Sequence, residues 1–454
     1  MTKEKKTTEM GIFERIGSLA KRRGFIYPGS EIYGGLAGTW DYGPLGAELK
    51  RNIKNEFWRT MVQGRDDVVG MDAAIMMNPK VWEASGHTQS FSDPLVECKK
   101  CHSRFRADEI GVSDFKGEVP KDIACSKCGA HDWTPPRQFN LMVEARLGAV
   151  EDSKQTIFLR GEITQGVHVN FRNVLDSTRV RIPFGVAQVG KAFRNEITPG
   201  DLTFRSREFE QMELQFYTRP DEKESMRWFE YWKKERMGWY RSLGMREENL
   251  QFKEHAKDEL AHYARAAFDI QYQADMKWWE MEGIHHRGDW DVRRHAEYSK
   301  QDLSYFDEET KERFLPHIVE TSGGVDRSAL FFLMDAYREE AVKEGETRTV
   351  LKLHPKLAPM KAAVFPLLSN KPALVDLARS VYHNLKNEWM IAWDDRGNIG
   401  KRYRAQDEAG TPFCITIDFD SIEKNDVTVR DRDTMEQERI AIPELPAYIR
   451  EKLS

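Results

Sequence analysis

The segment from Val186 to Tyr217 constrains this chain more than any other. Period two places Gln188, Gly190, Ala192, Arg194 and Glu196 on one face of a strand, with Val189 and Phe193 on the other. Further on, Met212, Leu214 and Phe216 alternate with Gln211, Glu213 and Gln215. The stretch between them, Ile197-Thr-Pro-Gly-Asp-Leu-Thr203, carries three turn-forming residues in a row. Alternation, breaker, alternation predicts an antiparallel hairpin. Its polar face presents Arg194, Glu196 and Glu213. A solvated face with cross-strand ion pairs is the plain alternative. Arg205 and Arg207, in Phe204-Arg-Ser-Arg207, weigh against it. Arginine forks fit phosphate oxygens bidentately, and Phe204 or Phe209 supplies a stacking face for a base.

A second segment agrees. His317-Ile-Val-Glu320 predicts a strand, Thr321-Ser-Gly-Gly324 a break, and Asp326 onward a helix with Ala329, Leu330, Leu333, Met334 and Tyr337 apolar. Arg327 then lies in the first helical turn, where a cation opposes the helix dipole by roughly 0.3–1 kcal/mol. Asp326 or a bound phosphate would remove the conflict.

Around these segments the pattern is mixed. Residues 11–60 read as mostly helical, interrupted by the Gly-rich Tyr33-Gly-Gly-Leu-Ala-Gly-Thr-Trp-Asp-Tyr-Gly-Pro44. Strands are expected over 154–160 and 167–171, a long helix with core aromatics over 222–242, and a helix near 255–267 leading into a strand over Ala267–Gln273. A charged run near 345 and the Pro-containing Leu353–Pro359 mark a domain boundary. Beyond it come a buried strand over 362–368, candidate N-caps Ser369 and Asn370, and a helix carrying Leu374, Leu377, Ala378, Val381 and Leu385. Strands over 389–393 and 413–419 complete a small α/β domain.

Composition narrows the function classes. Lys and Arg number 69 against 74 Asp and Glu, which excludes a polycation; a nucleic acid would have to meet local basic patches. At 40% hydrophobic and 31% charged, the chain has enough apolar material for a core. No window approaches the roughly 18 apolar residues of a membrane span. Met1–Met10 is polar and of mixed charge, unlike a secretory signal. A soluble, cytoplasmic, multi-domain protein is expected. Five cysteines are too few for a disulfide scaffold. Cys98-x-x-Cys101 and Cys125-x-x-Cys128 suit a tetrahedral structural zinc ion, with four free thiols or a redox pair as alternatives. Cys414, alone in a strand-like run, reads as core.

These residues resemble a known family. Phe193-Arg-Asn-Glu196 followed by Phe204-Arg-Ser-Arg-Glu-Phe209 resembles motif 2 of class II aminoacyl-tRNA synthetases. Gly323-Gly-Val-Asp-Arg327 resembles motif 3, and the helix around Ala47–Val62 with a following strand Ala73–Pro79 resembles motif 1. Tyr33-Gly-Gly-Leu, Trp82-Glu-Ala-Ser-Gly-His87, Arg104-Phe-Arg-Ala-Asp108, Pro136-Arg-Gln-Phe-Asn-Leu-Met142, Glu208-Phe-Glu-Gln-Met-Glu213, Gly410-Thr-Pro-Phe-Cys414 and Val427–Asp433 are similar to the single-polypeptide, homodimeric glycyl branch of that family.

The resemblance implies an α+β fold. A class II antiparallel sheet flanked by helices would occupy residues 1–345, with a zinc-ribbon-like insert at 96–132. An α/β anticodon-binding domain would follow over 346–454. It implies activation of glycine by ATP and transfer to tRNA(Gly), with Mg2+ as cofactor. Arg194 would hold the α-phosphate, Glu196 would read the adenine amino group, Arg205 or Arg207 would clamp the outer phosphates, and Phe209 would stack on the base. Arg327 would take the far phosphate and Glu280 would hold magnesium; Asn195, Phe204, Met281, Gly324 and Asp326 would complete the nucleotide site. Glu162, Glu213, Glu320 and Ser322, with Gln211 and Arg106, would hold glycine. Three carboxylates around one ammonium make a narrow cage that larger amino acids cannot enter, so no editing site is needed.

Overall fold

The computed structural model describes residues 10–112, 118–149, 155–257, 259–261, 263–343 and 345–453. The first nine residues of the polar N-terminal stretch and position 154 of the expected strand lie outside them.

A seven-stranded sheet organises the larger part. Its strands are β1 (Val68–Met71), β2 (Phe184–Phe193), β3 (Glu208–Thr218), β4 (Leu250–Glu254), β5 (Ala266–Ala274), β6 (Lys277–Gly288) and β7 (His317–Gly324), in the order β4-β5-β6-β7-β3-β2-β1. All neighbours are antiparallel except the edge pair β1 and β2. The alternation read in β3 decides what covers each face. Met212, Leu214 and Phe216 join one core with Ile270, Ile284 and Val319 from the other strands. Helices α1 (Pro44–Trp58), α2 (Glu222–Ser242) and α3 (Val325–Ala336) close that face with Leu49, Ile53 and Phe57, with Phe229, Trp232 and Tyr240, and with Ala329 and Leu333. Gln211, Glu213 and Gln215 point the other way and, with Gln188 and Glu320, form a buried polar face.

The register matches the hairpin reading: Gln188 opposes Glu213, and Gly190 opposes Gln211. The insert is a three-stranded sheet, with Ser92–Glu97 between Arg104–Arg106 and Arg137–Asn140. It has its own small core of Val96, Cys98, Ala107, Val112, Cys125 and Trp133. Past residue 360, three parallel strands (Ala362–Pro366, Ile391–Trp393, Phe413–Ile417) and two antiparallel ones (Asp426–Asp431, Gln437–Ala441) make a five-stranded sheet with a separate core. Cys414 is buried in it.

Five expectations are corrected. Residues 167–171 are not a strand: short helices Thr164–His168 and Phe171–Ser177 occupy the region. Val167 and Phe171 are both buried there, and their spacing of four satisfies a helical face as well as period two does. The helix near 255–267 is absent among the described residues, which form turns before β5. Ala73–Asn78 is not a named strand. Met76 makes one isolated bridge to Leu159, and Pro79 opens a helix capped by the Asn78 side chain. Thr321–Gly324 is no break, since β7 runs through Gly324 directly into α3. At the helix Pro372–Lys386 the N-cap is Lys371, because Pro372 takes the first helical position and fixes the start.

Candidate active site

The polar face of the sheet opens into a cavity of about 490 Å³. β3, β6 and β7 supply its floor, and the β2–β3 turn and the start of α3 supply its rim. Of the residues expected from sequence, Arg106, Glu162, Arg194, Glu196, Phe204, Arg205, Phe209, Gln211, Glu213, Glu280, Met281, Glu320, Ser322, Gly324, Asp326 and Arg327 all line it. Asn195 and Arg207 do not. Arg207 instead donates to the carbonyls of Ala37 and Glu196, clasping the Gly-rich loop to the hairpin.

One end of the cavity is cationic and aromatic. The Arg194 guanidinium lies 5.1 Å from the Phe91 ring centre and 5.3 Å from that of Phe209, while its Nε donates to the Gly161 carbonyl at 3.1 Å. Arg327 lies 4.5 Å over Phe204 and donates to Glu280 Oε1 at 2.9 Å. That pairing, with Arg327 as its largest cause, lowers the Glu280 pKa. Asp326 is not the partner of Arg327. It is buried, accepting from Lys50 Nζ at 2.7 Å and from Tyr42 and the Glu210 amide. Glu196 is buried, and its Oε2 has no hydrogen-bond partner among the described residues. Burial raises its pKa against the pull of Arg194. A buried acceptor of this kind calls for a donor from a ligand.

The other end is acidic. Glu162, Glu213 and Glu320 converge, and the Thr164 hydroxyl lies 2.6 Å from Glu213 Oε2 and 3.0 Å from Glu320 Oε1. Glu320 meets Arg287 at 2.9 Å and His285 at 2.8 Å, and Glu162 meets His87 at 3.4 Å. Burial opposes ionisation of both, yet these neighbours win: Glu162 is held down to about 2, and Glu320 is also lowered. Glu213 is different. Its hydrogen bonds come from Ser322, Thr164, Gln211 and Gln215, all neutral. Burial, then Glu320 and Glu162, push it up to about 8.

Sequence reasoning missed Phe91, Thr164, Tyr263, His285 and Arg287, which also line the cavity. The alternation of Gly283, His285 and Arg287 along β6 was the available signal.

Outside the cavity, Cys98 and Cys128 sulfurs are 3.6 Å apart, and those of Cys101 and Cys125 3.7 Å. Zinc–thiolate bonds of about 2.3 Å in a tetrahedron place sulfurs about 3.8 Å apart, so these four thiols fit that ion. Glu222, His286 and His317 also cluster. There Arg265 pairs with Glu222 at 2.7 Å and Ser225 Oγ lies 2.8 Å from His286, so a cation would face a guanidinium and we assign none.

Two family profiles match the chain: "tRNA synthetase class II core domain (G, H, P, S and T)" over residues 147–336, and "Anticodon binding domain" over residues 361–452. Over 459 aligned positions, covering 97% of this chain, it is 52% identical to proteins named glycine–tRNA ligase. These come from Alkaliphilus oremlandii (98% of that protein covered), Geobacillus kaustophilus (99%) and Geobacillus thermodenitrificans (97%). The chain belongs to the glycine–tRNA ligase family. As a class II synthetase it uses ATP, and the matched core holds the whole β2–β3 hairpin and the β7–α3 junction. No helix among the described residues is long and apolar enough to cross a membrane.

Proposed function

We propose that this glycine–tRNA ligase family member joins glycine to tRNA(Gly) in two steps. Glycine and ATP first give glycyl-adenylate and pyrophosphate. The glycyl group then passes to the 3′-hydroxyl of the terminal ribose. The observation that carries this reading is that the phosphate-binding arginines and the three-carboxylate cage open into one cavity. A glycine ammonium seated among Glu162, Glu213 and Glu320 leaves its carboxylate directed at the cationic end. No protein nucleophile is required, because that carboxylate attacks the α-phosphorus. Arg194 stabilises the charge that develops there, and its rigid bracing by Phe91, Phe209 and the Gly161 carbonyl prepays the positioning. Glu196, with its unfilled Oε2, accepts from the adenine amino group, Phe209 stacks on the base, and Arg205 and Arg327 take the outer phosphates. Arg207 acts from behind, on the hairpin backbone.

Magnesium ions bind ATP through its phosphates and usually take one or two protein carboxylates. Glu280 fits: one oxygen meets Arg327, and the other has no partner among the described residues. When bound, the ion would neutralise phosphate charge. The four thiols of the insert would hold a structural zinc ion with no open position.

The division into a catalytic unit (1–345, insert 96–132) and an anticodon-binding unit (346–454) is supported by two separate hydrophobic cores, with Leu351, Leu353 and Leu357 joining the first as the chain crosses over. A homodimer built on α1 and a cytoplasmic location complete the proposal.

Glycine-dependent exchange of labelled pyrophosphate into ATP tests it. Exchange with glycine is expected. Exchange with alanine or serine but not with glycine would overturn it.

A further inference from the structure

The turn of the β2–β3 hairpin is gripped from outside the catalytic core. Thr198 stands near its start and Arg205 near its end, and the backbones of Gly200 and Arg205 close it with two hydrogen bonds of 3.2 and 3.3 Å. Both side chains reach one carboxylate, that of Glu109. Thr198 Oγ1 donates to its Oε2 at 3.2 Å, and Arg205 Nη1 ion-pairs with its Oε1. Glu109 belongs to the insert. It sits in the short turn Asp108–Ile110, whose flanking Ala107 and Val112 are buried in the small core that contains the cysteines. The backbone is fixed there by the Ala107 amide on the Pro94 carbonyl at 2.7 Å and the Val112 amide on the Ala107 carbonyl at 2.8 Å.

We propose that Glu109 is a positioning residue for the nucleotide, holding Arg205 over the cavity before a triphosphate arrives. The inference rests on the reading of the cavity as an ATP site. Its physical basis is the shape of the contact. The pair uses only Nη1 of Arg205, so Nε and Nη2 remain for phosphate oxygens. The second bond, to Thr198, ties down the other end of the same loop. A loop whose cation is already in place spares binding the entropy of ordering it. Without the carboxylate, the half-buried Arg205 side chain has no other hydrogen-bond partner among the described residues, on a turn that contains two left-handed residues, Asp201 and Leu202. Glu109 thereby acts on catalysis without touching substrate.

The test is calorimetric binding of ATP, with Mg2+ present, to the full-length protein. A charge-assisted hydrogen bond of ordinary strength implies that Glu109→Ala weakens ATP affinity about tenfold. The isosteric Glu109→Gln, which keeps an oxygen for Thr198, should weaken it about threefold. Glycine affinity should stay within about twofold in both, because Arg106, 3.9 Å from Glu109, keeps its ion pairs with Asp93 and Asp108. In an Arg205→Ala background, Glu109→Ala should add less than about twofold. Hydrogen exchange should quicken over residues 197–207 and not over β3. Unchanged ATP affinity in Glu109→Ala, or in Glu109→Gln if the alanine variant does not fold, would overturn the inference. So would a parallel loss of glycine affinity, or full additivity with Arg205→Ala. Absence of glycine-dependent exchange in the parent protein would instead count against the proposed function, and the ATP comparison would still be readable.

Discussion

Glu280 and Glu282 stand two residues apart on β6 and face opposite sides of the sheet. Glu280 accepts from Arg327 at the cavity, at 2.9 Å. Glu282 is buried beneath α2, accepting from Arg236 at 2.6 and 2.9 Å and from Tyr240 at 2.7 Å. Residues two apart in a regular strand share a face. Here Ile270 opposes Glu282 and Gln271 opposes Glu280, so Met281 is an extra, bulged residue that reverses the parity. The bulge gives one strand a carboxylate for the site and another for the core.

The two carboxylates should therefore fail differently. Glu282→Ala strands the Arg236 cation in the core and should cost about 3–5 kcal/mol in denaturant unfolding. Glu280→Ala, at a side chain 52% exposed, should shift stability by no more than about 0.5 kcal/mol while weakening adenylate formation. Equal losses of stability would contradict the assignment of faces.

Arg194 braces the cationic end. Arg194→Ala should lower the rate of pyrophosphate exchange about 10²–10³-fold, by analogy with loss of one donor to a developing oxyanion. A loss below about threefold would contradict its role at the α-phosphate.

Glu213 sets a pH dependence. Its pKa of about 8 means that the empty cage carries a proton at neutral pH. On the proposed reading, glycine's ammonium seats against this carboxylate and requires it ionised, so binding expels that proton. The KM for glycine should fall as pH rises from about 6 to above 8, and calorimetry in two buffers of different ionisation enthalpy should show net proton release near pH 7. The stability effect has the opposite sense. Between the usual carboxyl range and about 8, the folded state binds the extra proton, so this group's contribution to stability declines as pH rises through that window. Glycine binding with no proton release would refute the assignment.

The insert should hold one zinc ion per chain, measured by metal analysis of purified protein. Cys101→Ser should lower that content and loosen Trp133, which packs among the cysteines, as read by its fluorescence. Well under one zinc per chain in the parent protein would defeat the zinc reading.

The sequence by itself determined the hairpin β2–β3 and the helix α2, because their periodic patterns depend only on which residues neighbour each other along the chain. The same holds for Arg194, Glu196, Glu213 and Arg327, which stand in those patterns or beside them, and for the paired cysteines, whose spacing fits a metal knuckle. Tertiary structure alone decided the rest. It turned residues 167–171 into helix, since a short apolar run fits two periods and only packing chooses between them. It gave Arg327 to Glu280 rather than to its neighbour Asp326, because Lys50 on α1 and Tyr42, just before that helix, claim Asp326. It set the proton of Glu213 by burying that carboxylate and bringing Glu320 and Glu162 beside it from distant segments. Charge and burial act through space, and no pattern along the chain records which segments will meet.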